Sequence, residues 1–127
     1  MTGRKALVVD DEVPIVHVVA VKLRNNGFEV ITAENGAVAL ELAREQKPDV
    51  VITDFQMPVM TGLELIENLR KNEETADIPV IMLTARGFAI EDEQRDNLKI
   101  SDCISKPFSP RELLQAVEAV ISKTVSA

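Results

Sequence analysis

Five residues with side chains suited to metal or phosphate chemistry each stand at the end of a candidate strand. Asp10 and Asp11 follow Ala6–Val9. Asp54 follows Val50–Ile52 with only Thr53 between, Thr84 follows Val80–Leu83, and Lys106 follows Cys103–Ser105. A buried, unpaired charge is costly, so a carboxylate that ends a buried run must face water, a cation or a reaction. Three carboxylates brought together raise one another's pKa unless a cation intervenes. Magnesium suits such a site: it takes one or two carboxylates, keeps several waters and accepts phosphate oxygens. A lysine adds a positive point charge and a threonine a hydroxyl donor, which is what a phosphoryl group needs. The residue types therefore point to phosphoryl transfer onto an aspartate nucleophile, giving an acyl phosphate. Positioning and charge neutralisation would supply most of the catalysis.

That chemistry requires the five residues to meet, and the surrounding pattern says how. Ala6–Val9, Val50–Ile52 and Val80–Leu83 are continuous apolar runs rich in β-branched residues, as expected of strands covered on both faces. Phe28–Thr32 alternates and reads as a strand nearer an edge; Cys103–Ser105 is a short fifth strand. Helical spacing fills the gaps. Val13–Asn26 has Pro14 in its first turn and stops at Gly27. Asn35–Gln46, Gly62–Lys71 and Ser109–Lys123 follow the same period, the last opening with a Ser-Pro-x-Glu cap signature; residues 88–99 form a more polar helix. Five strand–helix units predict an α/β doubly wound domain, a parallel five-stranded sheet of order 2-1-3-4-5. Open parallel sheets bind ligands beyond the carboxyl ends of their strands, where strand order reverses. Asp10, Asp11 and Asp54 would share that crevice, with Thr84 and Lys106 on its rim.

Composition narrows the field further. A chain of 127 residues suits one domain with a real core. No apolar run is long enough to span a bilayer, and the start, with only Ala6–Val9 apolar before the acids, is not a signal peptide. One cysteine excludes an internal disulfide and suits a reducing cytosol. The net charge of −7 argues against direct nucleic-acid binding and serves solubility. Glu91, Asp92, Glu93 and Asp96 read as a solvated helix face.

Asp10-Asp11-Glu12, Thr53-Asp54-Phe55-Gln56-Met57-Pro58 with Gly62 after it, Leu83-Thr84-Ala85 and Ser105-Lys106-Pro107-Phe108 together resemble the receiver domain of two-component response regulators. The resemblance spans essentially the whole of 1–127 and implies a single CheY-like, flavodoxin-like receiver domain. It implies that Asp54 accepts phosphate from a histidine kinase or phosphotransfer protein. It implies that Asp11, Asp54 and the Gln56 backbone carbonyl bind magnesium directly and Asp10 through water, with manganese as an alternative ion. Lys106 would contact a phosphoryl oxygen, Thr84 would move to another and carry the signal, and Lys106-Pro107 would be a cis bond. Such a domain is a cytoplasmic switch that catalyses only its own phosphorylation and dephosphorylation. Its output passes to a downstream protein target or an attached output domain, through the face around the fourth helix, fifth strand and fifth helix.

Three features depart from the pattern or extend it. Cys103 stands three before the lysine, where the family has Tyr or Phe; a thiol cannot fill an aromatic pocket, so activation would be read less through a ring rotamer and more through the loops. Gln56 and Arg86, two residues past Asp54 and Thr84, sit where the family tunes phosphoryl lifetime. The first helix is unusually apolar, and helical spacing turns Ile15, Val18, Val19 and Leu23 to the sheet. Val13, Val16, His17 and Ala20 would then form an outer strip for kinase docking. Two other readings compete. A degenerate receiver would act as a scaffold without phosphorylation. A magnesium-dependent hydrolase with an aspartate nucleophile needs a second carboxylate where Gln56 stands and a cap domain that the chain lacks. A nucleotide switch would need a Gly-rich phosphate loop after a strand, and none is present.

Overall fold

The computed structural model describes residues 4–55, 57, 60–84, 92–106 and 108–125. Strands β1 (Arg4–Val9), β2 (Phe28–Ala33), β3 (Val50–Asp54), β4 (Val80–Thr84) and β5 (Ile100–Ser105) alternate with helices α1 (Val13–Arg24), α2 (Gly36–Gln46), α3 (Gly62–Lys71), α4 (Asp92–Asn97) and α5 (Pro110–Val125). The strands form one parallel sheet in the order β2-β1-β3-β4-β5. This is the doubly wound architecture expected from the alternation of patterns.

The continuous apolar runs have a simple cause. Successive strand residues point to opposite faces, and both faces are covered. Ala6 and Val8 face one core layer with Ile52, Ile81 and Leu83, closed by Val19 and Leu23 of α1 and by Leu113, Val117 and Ile121 of α5. Leu7 and Val9 face the other with Val51, Val80 and Met82, closed by Ala39 and Ala43 of α2 and by Leu65, Ile66 and Leu69 of α3. β3 and β4 are buried along their whole length, so their terminal residues leave the core at fixed positions.

Local signals set the helix ends. Asn35 caps α2 by accepting from the Val38 N–H at 3.0 Å. Thr61 and Glu64 form a reciprocal capping box on α3, and Ser109 accepts from the Glu112 N–H on α5. Gly27, with φ of 89°, turns the chain into β2. β5 begins at Ile100, three residues earlier than its apolar stretch suggests. Ser101 and Asp102 are polar because this edge strand is only half-covered, and the β4–β5 register shifts there. α4 covers only part of the 88–99 helix; 88–91 lie outside the described residues.

The face of α1 needs correction. Ala20 is buried, at 3% exposure, and Val16 packs partly buried against the core, so neither belongs to an outer strip. Val18, expected to face the sheet, is exposed together with Val13, His17 and Val21. The helix packs on the sheet with α5 beside it, and its buried arc runs through Val16, Val19, Ala20 and Leu23. Contact with α5 as well as with the sheet sets that arc, and a period within α1 does not reveal it.

Away from the strand C-termini, Arg70 binds the chain to itself. Its guanidinium donates to the carbonyls of Leu98 (2.8 Å), Ala76 (3.0 Å), Ile78 (2.8 Å) and Lys99 (3.2 Å). It thus ties the end of α3 to the segments leading into β4 and β5. Arg70→Ala should lower the unfolding free energy by about 2 kcal/mol. Arg70→Lys should recover little of it, because one ammonium lacks the planar fork. Urea denaturation followed by circular dichroism measures both.

Candidate functional site

The carboxyl ends of β1, β3 and β5 converge, and backbone hydrogen bonds extend the sheet past those ends. Asp10 N–H donates to the Ala33 carbonyl at 3.2 Å, Phe55 N–H to Leu83 at 2.8 Å and Lys106 N–H to Thr84 at 2.8 Å. Each functional side chain therefore starts from a pinned backbone. Gly62 matters here too. A Cβ at that position would collide with the Asp54 carbonyl oxygen, so only glycine lets α3 begin so close beneath β3. Its N–H donates to the Phe55 carbonyl at 2.9 Å, which ties the start of α3 to the end of β3.

At the centre lies the Lys106 ammonium. It stands 3.1 Å from Asp10 Oδ2, 3.0 Å from Asp54 Oδ1 and 2.9 Å from Glu12 Oε1. The Asp10 side chain is fully buried and that of Asp54 nearly so, whereas Glu12 is largely exposed at the rim. Oxygens of Asp10, Glu12 and Asp54 lie within 4.8 Å of one another. Thr84 is buried at the end of β4, where its carbonyl accepts the Lys106 N–H.

The electrostatics follow from burial. Desolvation pushes the Asp10 carboxyl above its ordinary value; the Glu12 N–H, 3.0 Å from Oδ1, opposes this, and the Asp54 charge adds to it. Desolvation also raises Asp54, opposed first by Lys106 and reinforced by the charge of Asp11. Burial alone would lower Lys106, but hydrogen bonds to Glu12, Asp54 and Asp10 outweigh it, so the ammonium is held charged. The arrangement is a carboxylate cage around a cation. Hard oxygen donors at this spacing fit a small divalent ion as well as the ammonium.

Of the sequence-derived residues, Asp10, Asp54 and Lys106 meet directly, with Thr84 adjoining. Asp11 is exposed and stands outside the tight oxygen group, although its charge reaches Asp54. Gln56, Arg86 and Pro107 lie outside the described residues. Cys103 is half-buried against the α2–α3 core layer, and burial raises its thiol pKa, so it sits there as a neutral packing group. Glu12 was legible only as part of an acidic run; nothing in its spacing marks it as a partner of Lys106, 94 residues away.

Residues 6–118 match the family model described as the response regulator receiver domain. The phosphate regulon transcriptional regulatory protein PhoB of Pseudomonas aeruginosa is 43% identical over 126 residues, which cover 98% of this chain and 54% of that protein. Its namesake in Escherichia coli is 38% identical over 126 residues, covering 95% of this chain and 53% of that protein. The chain thus spans about half the length of these curated relatives. Among solved structures, the chemotaxis response regulator CheY4 of Vibrio cholerae is similar with a TM-score of 0.86 and 34% identity, covering 94% of this chain and 99% of that one. The receiver domain of a sensor histidine kinase from Pseudomonas aeruginosa, solved with a magnesium ion coordinated in its active-site cleft, has a TM-score of 0.84 and 27% identity, covering 95% and 99%.

The raised pKa of Asp54 has a consequence for stability. Because folding raises it above 3.8, ionisation of Asp54 opposes folding at neutral pH. That cost fades as pH falls through the folded pKa toward 3.8. Asp54→Asn should therefore melt a few degrees higher than the parent at pH 7, with the gap closing as the solution is acidified. Thermal melts across pH 4 to 8 read the trend; a gap that widens on acidification would contradict it.

Proposed function

The chain belongs to the response regulator receiver domain family, and from that premise we propose that Asp54 is its phosphoacceptor. The observation that carries the reading is the meeting of Asp54, Asp10 and Lys106 within one crevice, two buried carboxylates sharing one ammonium. In the reaction, an Asp54 oxygen bonds to phosphorus as the bond from phosphorus to the donor breaks. With a phosphohistidine donor, the imidazole nitrogen leaves with the electron pair. Lys106, whose ammonium already touches Asp54, would hold a phosphoryl oxygen, and the Thr84 hydroxyl would take another. Burial of the crevice strengthens both contacts.

Asp10, Asp11, Asp54 and the Gln56 carbonyl would hold a magnesium ion, with manganese as an alternative. When bound, the ion neutralises the carboxylates and draws charge from the phosphoryl oxygens. The oxygen spacing of Asp10, Glu12 and Asp54 supports a divalent site. Gln56 and Arg86 would tune how water reaches the acyl phosphate.

The phosphoryl donor would be a histidine kinase or phosphotransfer protein, docked on the exposed face of α1 formed by Val13, His17, Val18 and Val21. Phosphorylation would change a protein-interaction surface, read by a downstream protein or an output domain, in the cytoplasm and without direct nucleic-acid contact by this domain. The domain would turn over only its own phosphoryl group.

Incubation with magnesium and acetyl phosphate, followed by intact mass, tests the core of this reading. One phosphoryl adduct should form, absent from Asp54→Asn. Absence of both the adduct and beryllofluoride binding would leave a phosphorylation-independent scaffold instead. The docking face has its own test. Val18→Glu or Val21→Glu should slow phosphotransfer from the kinase roughly tenfold or more, with acetyl phosphate labelling unchanged. Equal loss from both donors would place the fault in the crevice.

A further inference from the structure

A divalent cation taking the Asp10 and Asp54 oxygens that face Lys106 would compete with the ammonium. The ammonium sits about 3 Å from both Asp10 and Asp54, and a second cation at those carboxylates would meet strong like-charge repulsion. Entry of an ion therefore requires the ammonium to withdraw. Its side chain is mostly buried, so withdrawal without a new partner would strand a poorly solvated charge.

Glu12 meets that need. It already touches the ammonium at 2.9 Å, yet it stands at the rim, 56% exposed, while Asp10 and Asp54 lie inside. Its backbone is tied to the site by the hydrogen bond from its N–H to Asp10 Oδ1. Its side chain has no part in starting the helix: Glu12 is the N-cap residue of α1 but makes no capping hydrogen bond. We propose that Glu12 is a positioning residue for Lys106: it retains the ammonium at the rim when a divalent cation takes the place between Asp10 and Asp54. This rests on the reading that the crevice binds magnesium. Glu12 would then keep Lys106 near the mouth, ready to meet an incoming phosphoryl group, instead of lost to solvent.

Magnesium affinity across a double-mutant cycle tests the assignment. Titration of MgCl2 into the parent, Glu12→Gln, Lys106→Met and the double variant is followed by isothermal calorimetry, since the chain has no tryptophan to report binding. Glu12→Gln should weaken magnesium binding roughly fivefold with Lys106 present and by less than about twofold in the Lys106→Met background. Equal weakening in both backgrounds would make Glu12 a metal ligand or a bare charge and overturn the proposal. No weakening with Lys106 present would also overturn it. Failure of all four chains to bind magnesium would remove the underlying reading itself, a distinct result. Glu12→Ala, carried through the same cycle, guards against a specific defect of the glutamine, and matched melting curves confirm that each variant is folded.

Discussion

Two carboxylates buried at the ends of neighbouring strands can coexist only if a positive charge lies between them. Here that charge is the Lys106 ammonium, within 3.1 Å of Asp10, Asp54 and Glu12. Desolvation pushes both aspartates toward the neutral form, and the lysine opposes it. The rest of the domain can be understood as what is needed to hold this balance of charges in place. Without the cation, the crevice would hold unpaired buried charge; without the carboxylates, a mostly buried lysine would have nothing to offset its desolvation.

The balance depends on precision at three separate places in the chain. β1, β3 and β5 deliver Asp10, Asp54 and Lys106 from residues up to 96 apart in sequence. Two fully packed core layers fix where each strand leaves the interior. Beyond the strand ends, single backbone hydrogen bonds to Ala33, Leu83 and Thr84 carry the ladder one residue further. The bond from the Lys106 N–H to the Thr84 carbonyl links the cation directly to the end of β4. Gly62 allows α3 to start against the Asp54 carbonyl, and the Thr61–Glu64 capping box sets that start. Away from this end, the four carbonyls gathered by Arg70 hold the segments that lead into β4 and β5.

On the proposed reading, such a site would serve exchange. Its cage already holds a cation, so replacing the ammonium by a divalent ion changes which charges are paired but not the need for pairing. Glu12, exposed and anchored through its own backbone, extends the cage to the rim and gives the displaced charge somewhere to go. Cys103 contributes volume to the core layer behind the crevice, without the aromatic ring that its position would otherwise supply. Val18 and Val21 are exposed on α1, further along the helix than the start at which Glu12 joins this charge network.

Most of the fold, and the strand ends that meet in the crevice, are legible in the sequence. Continuous apolar runs leading to Asp10, Asp54 and Thr84 mark buried strands, and a buried strand has one register and one exit point. Cap residues Asn35, Thr61 and Ser109 and the turn at Gly27 mark local events that depend on a few neighbouring atoms. What the sequence left undecided depends on packing between elements distant in the chain. The buried arc of α1 includes Val16 and Ala20 and omits Val18 because α5 lies beside it, which no period within α1 reveals. β5 takes in the polar Ser101 and Asp102 because an edge strand tolerates exposure on one side. The Glu12–Lys106 pair and the Arg70 clamp join residues far apart along the chain, and side-chain charge meets its partner only after the sheet has closed. Local chemistry was written in the residues; the pairing of charges across the crevice was decided by the tertiary structure, because only there do three strand ends share the same few ångströms.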